Sequence, residues 1–232
     1  MRGLFVTGTG TDVGKTHVAA MIARSLCSQE HRVGVYKPAA SGCRMEGHEA
    51  ICDDAVLLWE AAGRPGDLEW VCPQCFLAPL APHLAAAEEG REVDRVLLRT
   101  GLNYWVENCD MVLVEGAGGL MSPLSSEDYN ADLANDLGLP LLIVAANELG
   151  AINATLQTLV TARSISPDLP IAGVVLNECR RRPDDKSLLS NADELAARCD
   201  VPLLATVSYG ADQFDSDIDW YALGGLICAG TS

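Results

Sequence analysis

Gly14, Lys15 and Thr16 stand together where an apolar run at residues 4–8 passes through a Gly/Thr-rich turn into an amphipathic segment. Each residue type has a role beside a polyphosphate. The turn offers backbone N–H groups, the lysine an ammonium for the β- and γ-phosphates, and the threonine a hydroxyl for Mg²⁺. In the pattern GxxxxGK followed by Ser or Thr, the first glycine falls at position 9; this chain has Thr9 there, with Gly8 one step earlier. The deviation touches that glycine alone and leaves the Gly14-Lys15-Thr16 end whole. A strand before the turn and a helix after it would aim the free N–H groups and the helix N-terminus at one spot.

A magnesium ion beside a triphosphate needs hard oxygen ligands from elsewhere in the chain. Glu115 ends the apolar run MVLVE and opens Glu115-Gly116-Ala117-Gly118-Gly119, so its carboxylate is expected at the strand edge where α/β sheets bind ligands. Asp54, or its neighbour Asp53, begins DDAVLLWEAA, where it is either a metal ligand or an N-terminal helix cap. Lys37 ends the second apolar run in YKPAASG and is either a partner for a phosphate or carboxylate or a solvated lysine. Leu149-Gly150-Ala151-Ile152-Asn153 precedes a long helical pattern and offers another set of free N–H groups, as every helix start does.

Positioning these residues requires alternating strands and helices. Near-continuous Val/Leu/Ile runs recur at 4–8, 32–37, 110–116, 139–146, 169–177 and 201–207, as parallel strands covered on both faces require. Helix-like stretches lie at 15–28, 53–62, 93–107, 130–137, 151–165 and 187–198; in the first, Ala19, Ile22, Ala23 and Leu26 form one stripe. The alternation predicts an α/β fold: a doubly wound, mostly parallel sheet with helices on both faces, of the P-loop NTPase type. The stretch 63–92, rich in Gly and Pro, reads as a loop excursion.

The 232 residues, 49% hydrophobic, suit a single domain spanning 1–232. With 16 Lys+Arg against 32 Asp+Glu, the formal charge of -16 would repel a nucleic-acid backbone, and no nucleic-acid partner is expected. The N-terminus carries no secretory pattern and no apolar run approaches the ~20 residues of a membrane span. A cytoplasmic protein without a membrane partner is therefore expected. The odd total of nine cysteines reads as reduced, mostly buried thiols. Cys72-Pro-Gln-Cys75 has the spacing of half a zinc site, but no second CxxC or paired His follows at a finger-like distance, so an ordinary loop is expected.

Taken together, VTGTGTDVGKT (6–16), YKPAASG (36–42), DDA (53–55), APHLAAAEEGR (81–91), VEGAGGLMSPL (114–124), LGAIN (149–153) and VLN (175–177) resemble the dethiobiotin synthetase family. The displaced glycine is itself part of that family's pattern. The resemblance implies an ATP- and Mg²⁺-dependent ligase that converts 7,8-diaminononanoate and CO₂ to dethiobiotin, ADP and phosphate through a carbamate and a carbamoyl phosphate. It implies Lys15, Lys37 and Thr11 as catalytic groups, and Thr16, Asp54 and Glu115 as magnesium ligands. The nucleotide would be held by Asp12, Val13, Gly14, Lys15, Thr16, His17, Asp54, Glu115, Gly116, Ala117, Gly118, Asn177, Ser208, Tyr209 and Gly210. Thr11, Asp12 and Ser41 would wall the diamine site. A homodimer is implied, in which Gly150, Ala151, Ile152 and Asn153 of the other subunit receive the substrate carboxylate.

Two departures from the family stand out. Asp12 replaces the commoner Glu, one methylene longer, and residues 202–212 lack the Gly-Glu-Ile-Pro run that helps hold the base. Relaxed base selectivity is therefore expected. Competing classes are a partition or septum-site ATPase switch, an idle regulatory domain of the same fold, and an amide-forming relative acting on cobyrinate. The first carries a signature lysine five residues before the loop lysine, where this chain has Gly10, and the second has no need of the whole set Lys15, Thr16, Lys37, Asp54 and Glu115. The third would need a glutaminase domain for which this length leaves no room.

Overall fold

A computed structural model describes residues 1–182 and 184–226. The chain opens with β1 (Arg2–Gly8), α1 (Lys15–Ser28) and β2 (Val33–Tyr36), then a hairpin of β3 (Arg44–Glu46) and β4 (Glu49–Ile51). Next come α2 (Asp53–Ala61), α3 (Leu68–Val71), α4 (Pro82–Glu88), α5 (Arg95–Thr100), α6 (Asn103–Asn108), β5 (Met111–Glu115) and α7 (Asn130–Leu137). The remainder is β6 (Leu141–Ala146), α8 (Ala151–Ile165), β7 (Ile171–Asn177), α9 (Asn191–Arg198), β8 (Leu203–Val207), α10 (Trp220–Leu223) and β9 (Gly225–Leu226).

The main sheet runs β2-β5-β1-β6-β7-β8 with every neighbouring pair parallel, and β9 lies antiparallel to Arg2 and Gly3 of β1. The apolar runs are continuous because both faces are buried. Along β6, Leu142 and Val144 join the large core cluster, while Ile143 and Ala145 pack in separate clusters with Leu159 of α8 and Leu195 of α9. Side chains alternate across a strand, so this split is the signature of helices on both faces. On the other side of β1, α1 buries its expected stripe completely, with Ala19, Ile22, Ala23 and Leu26 all at 0% exposure. Because the strands are parallel, Gly8, Tyr36, Glu115 and Asn177 all end at the same edge, where the chain switches direction across β1.

Three local expectations are corrected. The single helix at 93–107 is divided at Gly101 into α5 and α6. Tyr36 is the cause: its hydroxyl donates to the Leu98 carbonyl at 3.2 Å, the Leu102 N–H turns to the Arg99 carbonyl instead, and a Cβ at Gly101 would lie 2.3 Å from that hydroxyl. The segment 187–198 begins with a 3-10 turn, Lys186–Leu189, because Asp185 accepts from the Ser187 N–H at 3.0 Å before the α-helical part starts. The presumed loop 63–92 contains α3 and α4. Proline sits at the first position of α4, where its missing N–H costs nothing, and the buried Gln74 amide ties the segment to Pro38 and Asp94. Among the described residues no helix is long and apolar enough to cross a membrane.

Candidate active site

Residues 9–14 join β1 to α1 as a loop whose shape depends on its glycines. Gly14 caps α1 with φ 84°, the left-handed region, and no side chain caps the helix. A Cβ on Gly14 would stand 2.0 Å from the Asn177 amide nitrogen, which donates to the Val13 carbonyl at 3.1 Å. The loop is thus tied to the end of β7 through Asn177. The N–H groups at the start of α1 are left for an anion.

Lys15 begins α1 and is buried, its Nζ donating to the Gly10 carbonyl at 3.2 Å. Burial lowers its pKa from the ordinary lysine value, with Glu115 opposing and Lys37 reinforcing the shift. Lys37 follows β2 and points into the same space, where Nζ donates to Asp54 Oδ2 at 2.9 Å and, at shorter range, to Glu115 Oε1. Burial works against its charge, but Glu115 and Asp54 outweigh that and hold the ammonium well above the ordinary lysine value. Thr16 Oγ1 donates to Glu115 Oε1 at 2.9 Å. Glu115 is 1% exposed and its second oxygen, Oε2, is buried with no hydrogen-bond partner. Such an atom is costly unless a cation meets it.

Asp53 and Asp54 part company in the first turn of α2. Asp53 accepts from Arg44 at 2.7 Å and faces the hairpin, whereas Asp54 faces Lys37 and the cleft. Neither is a cap; the position before the helix is Cys52, and no side chain caps it. Among the described residues no three His, Cys, Asp or Glu side chains form a ready-made metal cage. The candidate donor set for a metal is two carboxylates and a hydroxyl.

The cleft has a volume of about 680 Å³. Of the residues singled out from the sequence, Thr11, Asp12, Gly14, Lys15, Thr16, His17, Lys37, Ser41, Asp54, Ala117, Gly118, Asn177, Tyr209 and Gly210 line it. Glu115 lies beneath it, bonded to Thr16 and Lys37, and Val13 contributes its carbonyl to Asn177. Gly116 and Ser208 do not line it. Gly150, Ala151, Ile152 and Asn153 stand away from it at the start of α8, beside the exposed Leu149.

Other contributors were not read from the sequence. Leu57, Glu178 and Cys179 also line the cleft. Asn130, at the start of α7, donates to the carbonyls of Ala117 and Gly119 at 2.7 and 2.8 Å, and Ser122 accepts from the Gly119 N–H at 2.8 Å. These two residues shape the glycine loop after β5. Their partners are backbone atoms, so no spacing of functional groups announces them.

Comparison with known proteins adds the family. A family model described as an AAA domain matches residues 2–213. The chain is 42% identical over 214 residues to the ATP-dependent dethiobiotin synthetase of Rhodopirellula baltica, covering 88% of this chain and 82% of that one. It is 45% identical to the enzyme of the same name from Anaeromyxobacter dehalogenans strain 2CP-C, covering 84% and 85%, and 37% identical to that of Bacillus subtilis strain 168, covering 88% and 86%. The chain belongs to the dethiobiotin synthetase family. Solved structures extend the fold beyond dethiobiotin synthetases. Chloroplast FtsY from Physcomitrella patens has TM-score 0.53 at 17% identity, over 96% of this chain and 63% of that longer one. A putative plasmid partition protein from Borrelia burgdorferi bound to AMPPNP has TM-score 0.53 at 16% identity, over 95% and 93%. At those identities the likeness is one of fold alone. The reaction of the dethiobiotin synthetase family is the ATP-dependent closing of a ureido ring, a ligase activity.

Proposed function

We propose that this chain converts 7,8-diaminononanoate, CO₂ and ATP to dethiobiotin, ADP and phosphate, and that the cleft at the ends of β1, β2 and β5 is where it does so. The observation that carries the reading is the convergence of Lys15, Lys37, Thr16, Asp54 and Glu115, from four separate segments, on one cluster around the buried Lys37 and Glu115. One substrate amine captures CO₂ as a carbamate. A carbamate oxygen then takes the γ-phosphoryl group from ATP, and the second amine attacks the carbonyl carbon, expelling phosphate as the ring closes.

Carbamate formation creates an anion and phosphoryl transfer brings it against the charged γ-phosphate, so the residues act by position and electrostatics. Glu115 and Asp54 hold Lys37 in its charged form, and it acts as a fixed cation for the carbamate and the transferring phosphoryl oxygens. Lys15 and the N–H groups of the loop receive the β- and γ-phosphates. Thr16, Asp54 and Glu115 fit a magnesium ion, since Glu115 Oε2 is a hard, buried, unpartnered oxygen beside a hydroxyl already directed at the same carboxylate. Bound there, the ion supplies neutralisation of phosphate charge. Thr11, Asp12 and Ser41 form the wall that receives the diamine, with Asp12 accepting from an amine. Asn177, Tyr209 and Gly210 take the base side of the nucleotide.

The helix start at Gly150 lies outside the cleft of its own chain. We place it in a homodimer, where the partner subunit's Gly150, Ala151, Ile152 and Asn153 receive the substrate carboxylate. The test is incubation with the diamine, MgATP and ¹³C-bicarbonate. The expected product carries one labelled carbon in the ureido ring; ATP consumption without a labelled product would overturn the reading.

A further inference from the structure

Four cysteines from three segments meet beside the phosphate cleft. Cys43 directly precedes β3, Cys52 directly follows β4, and Cys72 and Cys75 flank the turn after α3. The hairpin pairs Arg44 with Ile51, which sets Cys43 and Cys52 side by side. A bridge between Ala40 and Cys75, with the Cys43 N–H donating to the Phe76 carbonyl at 3.0 Å, brings the Cys72-Cys75 turn against them. These contacts gather the four thiols about one cavity, which Cys52, Cys72 and Cys75 line. The Cys72 and Cys75 sulfurs are 3.6 Å apart. Cys43, Cys52 and Cys72 are buried and Cys75 is half-buried. The cysteines nearest the CxxC lie upstream of it, at Cys43 and Cys52, rather than at a finger-like distance after it.

A single reduced cysteine packs as a small apolar residue and needs no sulfur neighbour. Four about one cavity do need a reason. Zinc bound tetrahedrally by thiolates at about 2.3 Å places the sulfurs about 3.8 Å apart, close to the spacing of Cys72 and Cys75. Arg91 donates to the Cys75 carbonyl at 3.3 Å and lies over the Phe76 ring. The four thiols are free and do not form a preset metal cage, so a metal must replace their protons.

We propose that Cys43, Cys52, Cys72 and Cys75 together bind one Zn²⁺ in a closed tetrathiolate site. Four S–H bonds break and release four protons to solvent, four Zn–S bonds form, and the metal stays divalent throughout. With all four positions filled by sulfur the site is structural. It clamps the hairpin, the start of α2 and the turn after α3 at one point. Ser41 precedes Cys43 by two residues and Asp54 follows Cys52 by two, so the clamp fixes two lining residues of the neighbouring cleft.

The experiment counts zinc by plasma emission spectrometry in the full chain purified under reducing conditions without chelator, then replaces it with Co²⁺. About one zinc per chain is expected, released when a mercurial titrates the thiols. The cobalt form is expected to show sulfur-to-metal charge transfer and the intense visible bands of a tetrahedral thiolate site. Cys43→Ser and Cys75→Ser should each diminish those bands, while Cys27→Ser should not. The unsubstituted chain alone decides the matter if a serine variant fails to fold. A zinc-free chain that gives no thiolate charge transfer with cobalt would overturn the proposal. So would a cobalt spectrum that Cys43→Ser and Cys75→Ser leave intact. Neither readout depends on ligase activity.

Discussion

Lys37 is buried between two carboxylates, one of them, Glu115, almost wholly out of solvent. Replacing it with Met at similar volume therefore has two consequences. Turnover should fall about 10²–10³-fold, as when one charge-stabilising group is removed from a reacting centre. Stability should also fall, by about 3–5 kcal/mol, because Glu115 is left buried and unpaired. Adding Glu115→Gln should restore much of the melting temperature and none of the turnover; recovery of activity in the double variant would contradict the role given to Lys37. Gly14→Ala separates the loop's shape from its charges. With φ 84° and a Cβ 2.0 Å from the Asn177 amide, alanine must displace the loop, and calorimetric titration should show ATP affinity lost while Lys15 remains. At this scale Lys15, Thr16, Glu115 and Lys37 were legible because each needs a particular functional group at a particular element end. Asn130 and Ser122 were not, since they act on backbone carbonyls and N–H groups that any sequence carries.

The strands and their order of alternation were readable from continuous apolar runs, since burial on both faces removes the polar residues that would otherwise interrupt them. The breaks were not: Gly101 divides a helical pattern because of Tyr36, which is far away in the chain. A second feature hidden from sequence is the network that ties α5 and α7 to the loop after β5. Asp128, nearly buried, accepts from Arg95 at 2.6 Å, Arg99 at 2.8 Å and Ser125 at 2.6 Å. Burial alone would raise its pKa, but the hydrogen bonds from Arg95, Ser125 and Arg99 and the charge of Arg99 hold it well below the ordinary carboxylate range. A depressed folded-state pKa stabilises the fold above the unfolded value, about 3.9, and that contribution is lost as pH falls through the folded value. Asp128→Asn should therefore destabilise by about 1.5–3 kcal/mol at neutral pH. The gap in melting temperature between it and the unsubstituted chain should narrow as pH drops below about 4. A gap independent of pH would mean that the carboxylate charge is not what holds the loop.

On the scale of the whole molecule, family membership was legible because its motifs lie in order along the chain, while the assembly is invisible in one chain's fold. The dimeric reading predicts that sedimentation at working concentration finds a dimer, and that Ile152→Pro, which removes one first-turn N–H without breaking the helix, raises the KM for the diamine with little change in the KM for ATP. A monomer with full activity would remove the intersubunit part of the account. The turn after β8 exposes Tyr209 beside the cleft, 57% exposed, in place of the family's usual run. Some turnover with GTP and CTP beside ATP is expected in initial rates, and a strong preference for ATP would show that the base is held tightly despite the altered loop. The central claim, that the buried charges serve ring closure rather than a free-running ATPase or a switch, is tested most directly by phosphate release with MgATP in the presence and absence of the diamine and bicarbonate. The account predicts release that depends on both and equals dethiobiotin formed, mole for mole. Release at the same rate without the diamine would contradict it.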